Sequence, residues 1–382
     1  MRYRLTCLTP VLVGDGRKLS PIDYMVWKDQ VNVLDQWRIF RLLAKGPRLD
    51  GYLSQLKRAD KLDFASWGGF AQNFAGRRIP FESPAYSAYW NRASGESLHI
   101  PTFATAASGG PYLPGTAIKG ALRTGMVSAN WKSGMLNDVA ARMQGERLPR
   151  RLADGPEDQA LGNAGINRMR LVSVGDSNPV GHAGFKVYLL RVSTMQPRGS
   201  AYQLGWKQSP RGAVDGTRPD DSTPIFAEMA PPGAAFEGSW QENAFYTQPE
   251  IRRAMRWQES FDRRRIFDAA NDYAARLLAA HKQYAGWTGL GLLNQQIAEL
   301  EQRLAAAREA GQCLLSVGWG GGLLNKSAFL DTADPTYRQI LQQISLYSRA
   351  ISSNLPFPKT RRILFLNNKP ASLPGWALLE VI

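Results

Sequence analysis

Strand-like runs stand at both ends of this chain, and more lie in its middle. RYRLTCLTPVLV opens at Arg2, GWALLEVI closes at Ile382, and RLVSVGDS, FKVYLLRVS, PIFAEM, AAFEGSWQ, QCLLSV and RRILFL lie between. An isolated strand cannot satisfy its backbone N–H and C=O groups, so these separated runs must find one another. Helical stretches intervene, which rules out an all-β fold and suggests α+β architecture with split βαβ units. No repeat of fixed period accompanies the alternation.

Local signals place the intervening elements. YMVWKDQVNVL reads as a hairpin turning at Lys28-Asp29-Gln30. Asp35 is the expected N-cap of a helix through QWRIFRLLAKG, stopped by Gly46 and Pro47, and a second helical stretch covers about 49–74. Residues 77–110, rich in Pro, Ser and Gly, are expected as loop with short strands, and 196–223, rich in Pro, Gly, Ser and Asp, as a long, partly mobile loop. Helical periodicity follows from 116 to about 151 and again over 248–310, where Ile297, Leu300, Leu304 and Ala307 form a stripe ending at Gly311. A last helix is expected through YRQILQQISLYSRAI. Two regions result, 1–195 with a helical insertion and 196–382 with the helical segment 248–310.

The chain has 382 residues and a formal charge of +15, with 47 Lys and Arg against 32 Asp and Glu. Such an excess favours a polyanionic partner, nucleic acid first. The two cysteines, Cys7 and Cys313, and three scattered histidines exclude a disulfide framework or a zinc site by spacing and fit a reducing cytoplasm. No apolar run reaches membrane-spanning length, and the N-terminus is too short and too alternating for a signal peptide. Neither a cofactor nor a metal is expected.

Catalytic patterns are weak. Lys326-Ser327 follow the glycines of VGWGGGLLNKS, but Asn325 stands where a Walker A loop requires glycine. Asp15 and Asp23 are too few carboxylates for a metal-dependent nuclease. His99, His182 and His281 have no evident sequence partner for acid–base work on an RNA 2′-OH.

The basic and glycine-rich stretches say more. In GGPYLPGTAIKGALRTG (Gly109–Gly125), Thr116 is the expected N-cap, and Ile118, Leu122 and Met126 form a buried face. Lys119 then sits in the first turn, where unpaired N–H groups already concentrate positive charge, and Arg123 stacks on the same ridge. Gly120 and Gly125 each cost about 1 kcal/mol relative to alanine. RNA phosphate lying against Lys119, Arg123 and the helix N-terminus would compensate, with the glycines keeping that face low. Gly318, Gly320, Gly321 and Gly322 allow close backbone approach to a phosphate, beside Lys326. Gly14 and Gly16 form another turn, followed by Arg17 and Lys18. Arg147, Arg150 and Arg151, Arg252, Arg253, Arg256 and Arg263–Arg265 with Trp257 and Phe261, and Lys359, Arg361 and Arg362 form basic runs. Arginine with aromatics suits single-stranded RNA, although a solvated helix face explains any one run equally well.

Taken in order, TPVLVGDGRKLSPIDY, YLPGTAIKGALRTG and GWGGGLLNKS…PKTRRI…LPGWALLEVI resemble the RAMP superfamily of CRISPR-associated proteins. Within it, the chain is similar to the subunit-five family of type III-A (Csm) effector complexes. The resemblance implies RRM-like, ferredoxin-like βαββαβ sheets, two of them, with helical insertions. It also implies a non-catalytic, antiviral role: binding the 3′ region of the crRNA, capping the backbone filament and supporting crRNA maturation. Implied partners are crRNA, the adjacent backbone RAMP subunit and the small subunit, with target RNA and a cellular 3′–5′ nuclease as further candidates. Implied RNA contacts are Lys119, Arg123, the glycine loop and Lys326. The family's histidine in the TPV strand is absent, Thr9–Val13 reading TPVLV. The rival readings are a repeat-cleaving RAMP endoribonuclease, a backbone RAMP subunit with metal-dependent target cleavage, and a generic RNA-processing factor unrelated to CRISPR.

Overall fold

The computed structural model describes all residues except 45, 47, 59–60, 63–72, 145–153, 209–213, 258–261 and 354. Arg147, Arg150, Arg151, Phe261 and most of the stretch after 58 thus lie outside the described residues.

Arg2–Cys7 is the middle strand of a five-stranded sheet. Its burial alternates, with Tyr3, Leu5 and Cys7 inside, as a half-buried strand requires. It pairs antiparallel with Ala235–Glu242 on one side and Trp376–Val381 on the other. Val172–Ser177 lies beyond the first and Cys313–Ser316 beyond the second. Arg2–Cys7 and Val172–Ser177 therefore run parallel with one strand between them, joined through the helix Gly115–Ala129. Ala235–Glu242 and Trp376–Val381 stand in the same relation, with the helix Arg263–Thr288 on the path. These are two split βαβ units in the ferredoxin-like order, plus one added edge strand.

The second sheet is also antiparallel, in the order Ile225–Met229, Lys186–Arg198, Thr360–Leu366, Lys369–Ser372. Its long strand is buried on both faces. Tyr188 and Leu190 enter the core shared with the first sheet, while Val187 and Leu189 enter a second core against the helices Arg263–Thr288 and Gly291–Glu309. This strand crosses residue 195 and both sheets draw on both halves of the chain, so a division at 195/196 does not separate two folding units.

The hairpin at 24–34 turns as its sequence predicts, with Lys28 and Asp29 both at positive φ. Asp35 caps Gln36–Leu43, accepting from the Arg38 N–H at 3.0 Å. Ala75–Pro80 adds a third strand to that hairpin.

Three expectations need correction. Residues 196–223 are not simply loop: the strand continues to Arg198 and returns as Ala201–Trp206. Pairing to Lys186–Arg198 overrides the turn-prone composition. Residues 77–110 contain a helix, Tyr86–Arg92, anchored by Tyr86, whose hydroxyl donates to the Phe365 carbonyl at 2.6 Å. The N-cap is Pro114 rather than Thr116, so the helix begins two residues earlier than expected, at Gly115.

No helix among the described residues is long and apolar enough to cross a membrane.

Candidate nucleic-acid interface

Four of the stretches quoted above meet at one end of the first sheet. The glycine loop leaves the strand Cys313–Ser316 and is stitched to its neighbours by backbone bonds. Val317 N–H donates to Gly375 O at 2.7 Å, Trp319 N–H to Leu12 O at 2.7 Å, and Gly375 N–H to Pro10 O at 2.9 Å. The TPVLV segment, the glycine loop and the LPGW turn are thus one clamp, and the PKTRR segment forms the facing wall of a cleft of about 690 Å³.

The glycines divide by what surrounds them. A Cβ on Gly318 would stand 2.1 Å from the Leu12 carbonyl oxygen. On Gly320 it would meet Pro374 at 2.7 Å, and on Gly321 the Asn325 side chain at 2.5 Å. These three let parts of the chain approach one another. Gly322, at φ +77°, faces open space, as does Gly16 at φ +92°. Gly14 is packed against the Thr102 carbonyl.

The cleft is lined by Lys326, Lys359, Arg361 and Arg362, and by no carboxylate among the described residues. Lys326 is exposed. Lys359 is half-buried, and its pKa is lowered by burial first and by neighbouring Lys207 second. The Arg362 guanidinium lies 5.2 Å from the Trp319 ring centroid, a cation–π contact. Its Nε is shielded from solvent and has no hydrogen-bond partner among the described residues.

Arg361 is turned inward instead. Its Nε donates to His281 Nδ1 at 3.1 Å, Nη1 donates to the Pro358 and Thr360 carbonyls, and the guanidinium lies over Tyr284. Burial lowers its pKa to about 10. His281 is sealed in the interior, its pKa lowered to about 3 by burial first and then by Arg361. Its other nitrogen, Nε2, lies 3.3 Å from Asn325 Oδ1, and Asn325 also bonds to Ser316. The asparagine that breaks the Walker pattern therefore braces the loop from behind. Sequence gives no signal for this His281–Arg361–Asn325 set, because its members lie on three separate elements.

Arg123 reaches the same region from the side. It and Lys326 line an adjoining groove of about 390 Å³. Its guanidinium is paired with Glu157, so its charge is partly neutralised within the chain. Lys119 has no ion pair among the described residues, and burial followed by Arg123 lowers its pKa. The helix N-terminus is already occupied: Gly115 N–H donates to Asp176 Oδ1 at 2.9 Å. Asp176, rather than Thr116, supplies the side-chain acceptor at that end. Gly125 does not keep the surface low either; its Cβ would stand 2.8 Å from Ala270 Cα, where the two helices cross. Gly120 alone is exposed with open space around it.

Arg17 is exposed and pairs with Asp15 at 3.3 Å, and Lys18 is exposed at the start of a two-residue strand. Both follow the TPVLV segment that holds the glycine loop. Trp319, Tyr347 and Phe357 also line the cleft; Trp319 was legible within its glycine motif, the other two were not. Among the described residues no three His, Cys, Asp or Glu side chains gather to hold a metal ion.

An antiparallel α+β core with split βαβ units, and a glycine loop clamped against a basic wall, define the class. The model of the RAMP superfamily matches residues 4–325, and the chain belongs to that family. Its fold is similar to a chain of the Csm–crRNA–target RNA ternary complex of a type III-A CRISPR-Cas system, solved by cryo-EM. The TM-score is 0.68 at 19% identity, over 100% of both chains. It is also similar to the crystal structure of T. onnurineus Csm5, with TM-score 0.60 and 17% identity, over 98% of this chain and 99% of that one. No curated protein matches the sequence.

Proposed function

We propose that this chain is a non-catalytic RNA-binding subunit of a type III-A (Csm) effector complex. It holds the 3′ region of the crRNA at the end of the backbone filament and supports crRNA maturation and RNA-guided defence. The adjacent backbone RAMP subunit and the small subunit are its protein neighbours. The observation that carries this reading is the glycine-loop cleft, which gathers cations with no carboxylate among the described residues of its wall. Membership of the RAMP superfamily and fold similarity to Csm proteins support it. Lys326, Lys359 and Arg362 contact phosphate, Trp319 backs Arg362, and Arg361 and Gly318 hold the wall and the loop in place. Arg17, Lys18, Lys119 and Arg123 extend the basic surface around the cleft.

Binding to labelled single-stranded repeat RNA tests this as a function of salt. Each phosphate neutralised contributes about −0.7 to the slope of log K against log salt, so four to six contacts give roughly −3 to −4. Lys326→Gln, Lys359→Gln and Arg362→Gln together should flatten that slope by about 2. An unchanged slope would show that the cleft does not hold RNA. The same RNA incubated with and without Mg²⁺ should stay intact, and Asp15→Ala should leave any target cleavage by the assembled complex unaltered. Cleavage by the purified chain, or its loss from the complex with Asp15→Ala, would make the subunit catalytic.

A further inference from the structure

The run IRRAMRWQESFDRRR separates into two halves that its sequence does not distinguish. In the second half Arg263 pairs with Glu242 at 3.5 Å and Arg264 with Asp268 at 4.0 Å. In the first half Arg252, Arg253 and Arg256 make no ion pair among the described residues, although Glu250 lies on the same short helix. Among the described residues these three arginines line a cleft of about 370 Å³ with Pro249 and Trp257, and no carboxylate is in that lining. The Nε of Arg252 is shielded from solvent and has no acceptor among the described residues. Arg256 sits at φ +55° in a turn closed by Arg256 N–H to Arg253 O at 3.0 Å and Trp257 N–H to Arg252 O at 2.9 Å. That turn wraps the three guanidinium groups around one hollow, a strained conformation for a non-glycine residue.

Trp257 is not the stacking surface its position in the run suggests. It is buried, and its Nε1 donates to the Ile166 carbonyl at 2.7 Å. A chain of rings instead leads outward from it: Trp257 to Tyr246 at 5.7 Å, Tyr246 to Phe245 at 5.4 Å. Phe245 is 52% exposed. An exposed ring near arginines that make no ion pair among the described residues is the combination that single-stranded RNA uses, bases on the ring and phosphates on the guanidinium groups.

This hollow is remote from the glycine-loop cleft. The loop leaves the sheet where Ser316 pairs with Trp376, the end at which Ala235 begins its strand. The arginine hollow follows the opposite end of that strand, beyond Glu242. The length of the strand sets the two sites roughly 25 Å apart.

We infer that Arg252, Arg253 and Arg256, with Phe245, form a second single-stranded RNA contact, at the opposite end of the sheet from the glycine-loop cleft. The inference stands on its own geometry and does not require the first cleft to bind RNA. One strand passing over both sites would be held at two points, each raising the effective concentration of RNA at the other.

Anisotropy with labelled oligouridines of about 8 and about 40 nucleotides, below and above the reach of a single site, tests it. Arg252→Gln, Arg253→Gln and Arg256→Asn are combined, asparagine being chosen because it tolerates positive φ. The combined variant should bind the long oligomer about tenfold more weakly with a salt slope shallower by about 2, and melt as the unaltered chain does. Ultraviolet crosslinks to the peptide around Phe245 should form in the unaltered chain and in the glycine-loop variant (Lys326→Gln, Lys359→Gln and Arg362→Gln together), and fail with Phe245→Ala. Loss of long-RNA binding in the arginine variant alone, with the glycine-loop variant unaffected, would sustain this site and remove the first. Unchanged affinity and slope for long RNA would overturn the second contact. So would displacement of polyglutamate without any effect on RNA, which would assign the hollow to an acidic protein segment.

Discussion

The helix Gly115–Ala129 and the loop Gly318–Lys326 read alike in sequence, since both mix glycines with cations where neither favours regular structure. The fold treats them differently. In the helix the electrostatic irregularities are largely answered within the chain: Asp176 caps the N-terminus, Glu157 pairs with Arg123, and Gly125 admits Ala270. At the loop Gly318, Gly320 and Gly321 serve internal packing, but Lys326, Lys359 and Arg362 line a cleft with no carboxylate among its described lining, and Asp215, the acidic group near Lys359, is already paired with Lys207. An odd local sequence therefore marks a close approach or a charge partner as readily as a ligand. Only the distribution of acidic groups in space separates the two.

The sharpest way to break this comparison lies in the loop glycines. Gly318→Ala places a methyl group against the Leu12 carbonyl at a residue already at φ +75°, and should cost about 3 kcal/mol or more. Gly322→Ala, at φ +77° but in open space, should cost only about 1 to 2 kcal/mol, from backbone strain alone. Equal losses in chemical denaturation would mean that the loop is not clamped to the TPVLV segment.

The brace behind the loop makes a pH prediction. The folded chain holds His281 neutral down to about pH 3, whereas the ordinary value is 6.5. Below 6.5 the unfolded chain takes up a proton that the folded chain refuses, so this contribution to stability is complete above that pH and is lost as pH falls toward 3. His281→Gln, which keeps an acceptor for Arg361, should flatten the difference in stability between pH 7 and pH 5. If both chains lose stability in parallel over that range, His281 is not the titrating group.

The smallest effects separate two neighbours on the helix. Arg123→Ala removes a partly exposed ion pair and should lower stability by up to about 1 kcal/mol. Lys119→Ala removes a half-buried cation, beyond the first turn and beside Arg123, and should leave the melting temperature unchanged or slightly raised. Both should weaken RNA binding less than changes in the loop cleft do. Identical thermal shifts for the two would mean that Glu157 does not distinguish them.

Several features needed only the order of residues. The hairpin at Lys28-Asp29 and the Asp35 cap are fixed by contacts within a few residues, and local chemistry decides them. The buried stripes at Ile118, Leu122 and Met126 and at Ile297–Ala307 follow from helical period. The scattered strands and the basic excess were enough to set the fold class and to favour a polyanionic ligand. Tertiary structure decided which cations remain free, because an ion pair depends on distance in space. Nothing near Arg123 in sequence announces Glu157, nothing near Gly115 announces Asp176, and nothing in the IRRAMRW run shows that Trp257 is buried while Phe245 is exposed. The strand Ala201–Trp206 was hidden for the same reason: its composition favours turns, and only pairing with Lys186–Arg198, whose hydrogen bonds form between chain segments, holds it extended.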